Sequence, residues 1–175
     1  SFAGAGTDDG QLDLHRTGSG VTVSRWIYGQ LPSPYYSDLV KFEGECDRLQ
    51  HYELRIPSIA INKSVYTPVG TGGPDKPPVD KTYINVSYNF MTPVDDGLTR
   101  YFWFQHRNTD PNDESVSKFM NDGARMAFEE DRAVLTEVHK GMRDRQTPNI
   151  DLRLDAGAKL FRKQLQQIID NENTD

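Results

Sequence analysis

Apolar and polar residues alternate along the chain as far as Arg107, and the alternation predicts strands. "QLDLHRTGSGVTVSRW" alternates on both sides of Thr17-Gly18-Ser19-Gly20, the pattern of a hairpin. In "GQLPSPYYSDLV" Pro32 and Pro34 break regular structure, and the pair Tyr35-Tyr36 is placed to pack inward. "ECDRLQHYELRIPSIAINKSVYTPVG" reads as two further strands joined at Pro57. "TGGPDKPPVD" is an exposed Gly/Pro loop. "KTYINVSYNFMTPVDDGLTRYFWFQHRN" is a second hairpin, turning between Pro93 and Gly97.

After Asn108 the apolar period lengthens to that of a helix. Asp110 is the expected N-cap, with Pro111 in the first helical position, and the helix should run to about Gly141 with a bend at Gly123. A second, shorter helix should start behind Asp155 and carry Leu160, Phe161, Leu165, Ile168 and Ile169 on one side. Antiparallel strands followed by a long packed helix predict an α+β fold.

The long helix contains an anomaly. Met120, Ala124, Phe128, Leu135, Val138 and Met142 form one stripe, with Ala127 and Val134 alongside. Asp131 falls between Phe128 and Leu135 on that stripe, whereas Glu129, Glu130 and Arg132 point toward water. A buried carboxylate is costly unless it is paired or bound to a metal. Both answers stay open: an ion pair to an arginine such as Arg107 or Arg153, or metal ligation.

Composition narrows the field. The 175 residues suit one domain with a substantial core, and 26% charged with 35% hydrophobic residues suit a polar globular protein. A net charge of −6 argues against nucleic acid and anionic membranes as partners. No apolar run is long enough to span a bilayer, and no secretory leader is visible. The single Cys46 can form neither an internal disulfide nor a multi-thiolate site, which fits a cytoplasmic protein, and it reads as a small buried hydrophobe. The opening "SFAGAGTDDGQ" lacks Met and reads as part of something longer.

Other chemistry is sparse. His15, His51, His106 and His139 are too far apart in sequence to share a helix face, and His139 lies about 12 Å along the helix from Asp131 at 1.5 Å per residue. His106, on the strand face of Phe102 and Phe104, is the best placed of the four for a pocket, against the simpler reading of a strand-end histidine near solvent. No nucleophile elbow, Cys–His signature or Walker sequence occurs, and "GTGG" is followed by Pro74 rather than a helix.

Three blocks together, "MTPVDDGLTRYFWFQHRN", "FEEDRAVLTEVHKGM" and "DLRLDAGAKLFRKQLQQII", resemble the C-terminal part of Rieske non-haem iron oxygenase α-subunits, closest to the vanillate O-demethylase-like subgroup. "VTVSRWIYGQLPSPYYSDL", "CDRLQHYELRIPS" and "PVGTGG" fall in the family's order, so the resemblance covers nearly the whole chain. It implies a helix-grip (START-like) antiparallel sheet wrapped around the long helix, with a final short helix. It also implies that Asp131, in the block Glu130-Asp131-Arg132-Ala133-Val134-Leu135-Thr136-Glu137, is the carboxylate of a 2-His-1-carboxylate triad on mononuclear Fe(II).

The family's two iron-binding histidines and its Rieske [2Fe–2S] motif are not in this sequence. The resemblance therefore makes residues 1–175 a partial catalytic domain, holding one iron ligand of three and unable to turn over alone. It places Ala124, Ala127 and Phe128 on the substrate cavity and makes Asn89 a polar contact to substrate. The complete enzyme would draw electrons from NAD(P)H through a separate reductase or ferredoxin, assemble as a homotrimer, and O-demethylate or hydroxylate an aromatic compound. The alternative is a stand-alone START-like module that binds an apolar ligand without iron.

Overall fold

Each alternating run becomes a strand. The computed structural model describes residues 12–143, 150, 152 and 155–172. Its strands are β1 (Asp13–Thr17), β2 (Gly20–Gln30), β3 (Cys46–Arg55), β4 (Ile59–Pro68), β5 (Tyr83–Asp95) and β6 (Leu98–Arg107). They pair antiparallel in the order of the sequence, forming one six-stranded meander. The β1–β2 hairpin closes with Thr17 opposite Gly20. Gly20 is required there: a Cβ would lie 1.8 Å from the carbonyl oxygen of Leu54. The β3–β4 connection contains the Ile56–Pro57 peptide in cis.

Among the described residues, three helices accompany the sheet: α1 (Pro34–Ser37), α2 (Glu114–Arg143) and α3 (Ala156–Glu172). The α2 start is displaced from the sequence expectation. Asp110 adopts a left-handed conformation (φ 46°), and Asp113 caps the helix, its Oδ1 accepting from the backbone N–H of Ser115 at 2.8 Å and of Val116 at 3.3 Å. Three such bonds hold the Asp113 carboxyl below its ordinary range, the Ser115 hydroxyl contributing most. Helix α2 runs unbroken through Gly123. Asp155 does open α3, its carboxylate accepting from the Leu152 N–H at 2.8 Å.

The apolar core lies at one end of the sheet. Tyr36, Leu39, Val40, Cys46, Tyr66, Tyr83 and Met120 cluster there, so the Pro-rich segment packs inward as its tyrosines predict. Helix α3 lies on β2, where Gly157 allows close approach: a Cβ would meet Val23 Cγ2 at 2.6 Å. Its buried positions are Gly157 and Gln164, whereas Ile168 and Ile169 of the predicted apolar side stay about 40% exposed.

The loop after β4 is less free than its composition suggests. Gly72 is buried and donates its N–H to Asp47 Oδ2 at 2.9 Å, and Gly29 donates to Oδ1 at 3.3 Å. Asp47 is 2% exposed and ties the loop to β3 through the Gly72 amide, while the Gly29 amide of β2 occupies its other oxygen. A buried carboxylate is thus present, but on β3.

Helix α2 explains why it is not Asp131. Of the predicted stripe only Met120 and Ala124 are buried, and Asp131 is exposed. Leu135, Val138 and Met142 are 64%, 48% and 56% exposed. The described sheet covers only the first half of the helix, so the apolar period continues beyond the surface that could bury it.

Candidate functional site

The face of the sheet turned toward α2 is polar. On β5 the buried residues are Tyr83, Asn85, Ser87 and Asn89, and the apolar Ile84, Val86, Tyr88 and Phe90 occupy the other face. Strand register extends this into rows. Tyr52, Asn62, Ser87 and Gln105 are successive partners across β3 to β6, and Gln50, Ser64 and Asn85 form the row beside them. Arg48 pairs with Tyr66, which pairs with Tyr83, at the core end.

Aromatic contacts hold α2 above this floor. Phe128 packs edge-on to both Tyr101 and Trp103, with centroids 5.2 Å apart in each case. Toward the other end Phe119 stacks on Tyr35 at 5.3 Å, and the Tyr35 hydroxyl donates to the Met120 carbonyl at 3.4 Å. Between them lies a cavity of about 470 Å³. Strands supply Arg48, Tyr52, Asn62, Ser64, Asn85, Ser87 and Gln105; Tyr35 and Tyr36 close one side. The helix supplies Ala124, Met126, Ala127, Phe128, Glu130 and Asp131.

The predicted site residues divide here. Ala124, Ala127, Phe128 and Asp131 all border the cavity, and Glu130 does too, contrary to its expected outward direction. Asn89 does not. It is 2% exposed, its Nδ2 donates to the Ala60 carbonyl at 3.2 Å, and its Oδ1 accepts from the Tyr101 hydroxyl at 2.7 Å. Its amide is occupied within the protein, so Asn89 acts on the cavity only indirectly, through Tyr101 and then Phe128.

Asp131 makes no ion pair among the described residues. Arg107 is engaged elsewhere, donating to the carbonyls of Thr109, Asp110 and Asp113 and to Ser117 Oγ. Arg153 lies outside the described residues. Burial, and then the charge of Asp131, raise the Tyr101 phenol above its ordinary range, so the carboxylate acts on the ring that packs behind Phe128.

The donor set is partial. Among the described residues no three His, Cys, Asp or Glu side chains lie together as a metal site. Asp131 offers one hard oxygen ligand, suited to a divalent metal that takes its other ligands from outside these residues. His106 is on the outer face, against the rings of Tyr88 and Phe104, as the solvent-side reading had it. Cys46 is buried; its Sγ donates to the Gln30 carbonyl at 3.1 Å, and burial pushes the thiol up to about 11.

Sequence reasoning missed the polar floor. "TYINVSYNF" carries the signal, since Asn85, Ser87 and Asn89 alternate with Ile84, Val86, Tyr88 and Phe90. Periodicity separates these two sets without saying which faces the helix.

Among known families, the model for the vanillate O-demethylase oxygenase C-terminal domain matches residues 1–171. A toluene-4-sulfonate monooxygenase system iron-sulfur subunit from Comamonas testosteroni is 30% identical over 165 residues, 93% of this chain and 47% of that protein. A vanillate O-demethylase oxygenase subunit from Pseudomonas sp. (strain ATCC 19151) is 23% identical over 171 residues, 94% of this chain and 52% of the relative. The chain thus spans about half the length of these curated relatives. Among solved structures, dicamba monooxygenase bound to 3,6-dichlorosalicylic acid superposes with a TM-score of 0.82 at 15% identity, over 96% of this chain and 49% of that one. This likeness shows the α+β fold.

Proposed function

The chain belongs to the vanillate O-demethylase oxygenase C-terminal domain family, and from that membership we propose that it forms the substrate-binding half of a Rieske-type oxygenase acting on an aromatic acid. The observation that carries this reading is Asp131, a carboxylate bordering an open-sided cavity with no ion pair among the described residues. Asp131 would hold mononuclear Fe(II) together with histidines supplied from outside these residues. Fe(II), when bound, supplies O₂ activation with electrons passed from a [2Fe–2S] cluster by a reductase drawing on NAD(P)H.

The residues of this chain position the substrate. Phe128, Ala127 and Ala124 form an apolar roof against which an aromatic ring can pack, and the polar rows provide hydrogen bonds below it. The substrates named for the relatives, a toluene sulfonate and vanillate, are aromatic acids. O-demethylation would insert one atom of O₂ into a methoxy C–H bond. The second atom would leave as water with the supplied electrons and two protons, and the hemiacetal would break into formaldehyde and a phenol. Hydroxylation of a ring or side chain is the other outcome of the same site.

A purely apolar ligand fits poorly, because it would leave Asn62, Asn85, Ser87 and Gln105 facing carbon. Homotrimer assembly belongs with this reading. No described helix is long and apolar enough to cross a membrane. The test is iron content and substrate-dependent O₂ uptake of the full-length protein with its reductase. Stoichiometric iron with coupled uptake supports the reading, and an iron-free protein that consumes no O₂ for any aromatic acid overturns it.

A further inference from the structure

The charges around the cavity are unevenly distributed. Arg48 lies on the floor at the core end, 9% exposed, with its guanidinium carbon 5.1 Å from the centroid of the Tyr66 ring. Glu130 and Asp131 lie on the helical wall, one turn beyond Phe128. Register separates the two groups. Arg48 shares a row with Tyr66 and Tyr83, whereas Phe128 meets Trp103 and Tyr101, which pair with Asn89 and Met91 further along β5. The cavity therefore has a cationic floor at one end and an anionic wall at the other.

We propose that Arg48 is the specificity-determining residue of this site, selecting aromatic substrates that carry an anionic group and holding that group at the core end of the cavity, away from Asp131. A guanidinium presents five N–H donors in a fixed fork, so it can keep a protein partner and still offer donors to a carboxylate or sulfonate oxygen. Stacking on Tyr66 fixes its plane. Glu130 disfavours the same anion at the other end, where Asp131 is taken up by the metal, so the Arg48 end is the place for the anion. The uncharged end of the substrate is then presented to Asp131.

A second observation marks this floor as a place for a ligand. Asn85 borders the cavity at 3% exposure, and its Oδ1 has no hydrogen-bond partner among the described residues. Buried amide oxygens are nearly always satisfied. A ligand hydroxyl or a water bridging to the ligand would complete it.

The assignment of the reacting end rests on the oxygenase reading, but the preference for an anion does not. The test measures binding to the full-length protein of 4-methoxybenzoate, 4-methoxycinnamate and toluene-4-sulfonate, each beside its neutral amide or sulfonamide. At least one acid should bind roughly tenfold or more tighter than its neutral partner, the scale of a charge-assisted hydrogen bond. Arg48→Gln should abolish that preference while leaving the neutral ligand's affinity unchanged, and Arg48→Lys should restore part of it.

Equal loss for acid and amide in Arg48→Gln would make Arg48 structural and overturn the proposal. So would the absence of any acid preference in the unmodified protein, a result that stands even if neither variant folds. Iron content and O₂ uptake on the same preparations keep the two readings apart. Their absence beside an intact acid preference would sink the oxygenase reading alone.

Discussion

The Tyr101 hydroxyl donates a 2.7 Å hydrogen bond to Oδ1 of Asn89. Tyr101 also packs its ring edge-on to Phe128, so a buried amide on β5 positions a side chain on the roof of the cavity. Tyr101→Phe should cost about 1 kcal/mol of stability, and Asn89→Ala about 1–3 kcal/mol because the Ala60 carbonyl also loses its donor. A double-mutant cycle read by chemical denaturation should show coupling between the two. Additive losses would mean the bond contributes nothing.

Asp131 is exposed, and its substitution should leave the fold intact. Asp131→Ala should change unfolding free energy by no more than about 0.5 kcal/mol, as for ordinary surface positions. Iron content of the full-length protein and its substrate-dependent O₂ uptake should collapse in the same variant. Retained iron would rule Asp131 out as its ligand.

Asp47 is the carboxylate on which stability depends. Asp47→Ala removes the acceptor of two backbone amides and should cost about 2–4 kcal/mol, since hydrogen bonds to charged groups contribute about 1.5–3 kcal/mol each and water replaces part of the loss. Hydrogen exchange should speed at Gly72 before it does at β5.

Cys46 should resist alkylation. At pH 8 iodoacetamide should modify it only on unfolding, because the buried thiol keeps its proton up to about 11. The pH dependence follows in sign. The folded thiol titrates above its ordinary value of 9.0, so the unfolded chain loses its proton first, and stability falls as pH rises from 9 to 11. Calorimetry across that window checks the direction; a rise would refute it.

Strand positions, both hairpin turns and the α+β order were legible because each depends on local alternation and on residues such as Gly18 and Gly97. Helix α2 was legible in length but not in burial. A period of 3.6 persists through Leu135 and Met142 whether or not a partner surface exists there, and the described sheet does not reach them. The cavity floor was hidden for a related reason. Alternation in β5 separates Asn85 and Ser87 from Ile84 and Val86, but tertiary packing decides which set meets the helix. Asn89 is expected from sequence to meet the substrate, but sequence cannot show that Ala60 and Tyr101 already occupy its amide.

The meander has a temporal consequence. Every described strand pairs with its neighbour in sequence, so none of these ladders has to wait for a segment not yet synthesised. The platform can therefore be finished before α2 leaves the ribosome. Asp131 comes near the end of this order, delivered by a helix laid across a floor that is already built.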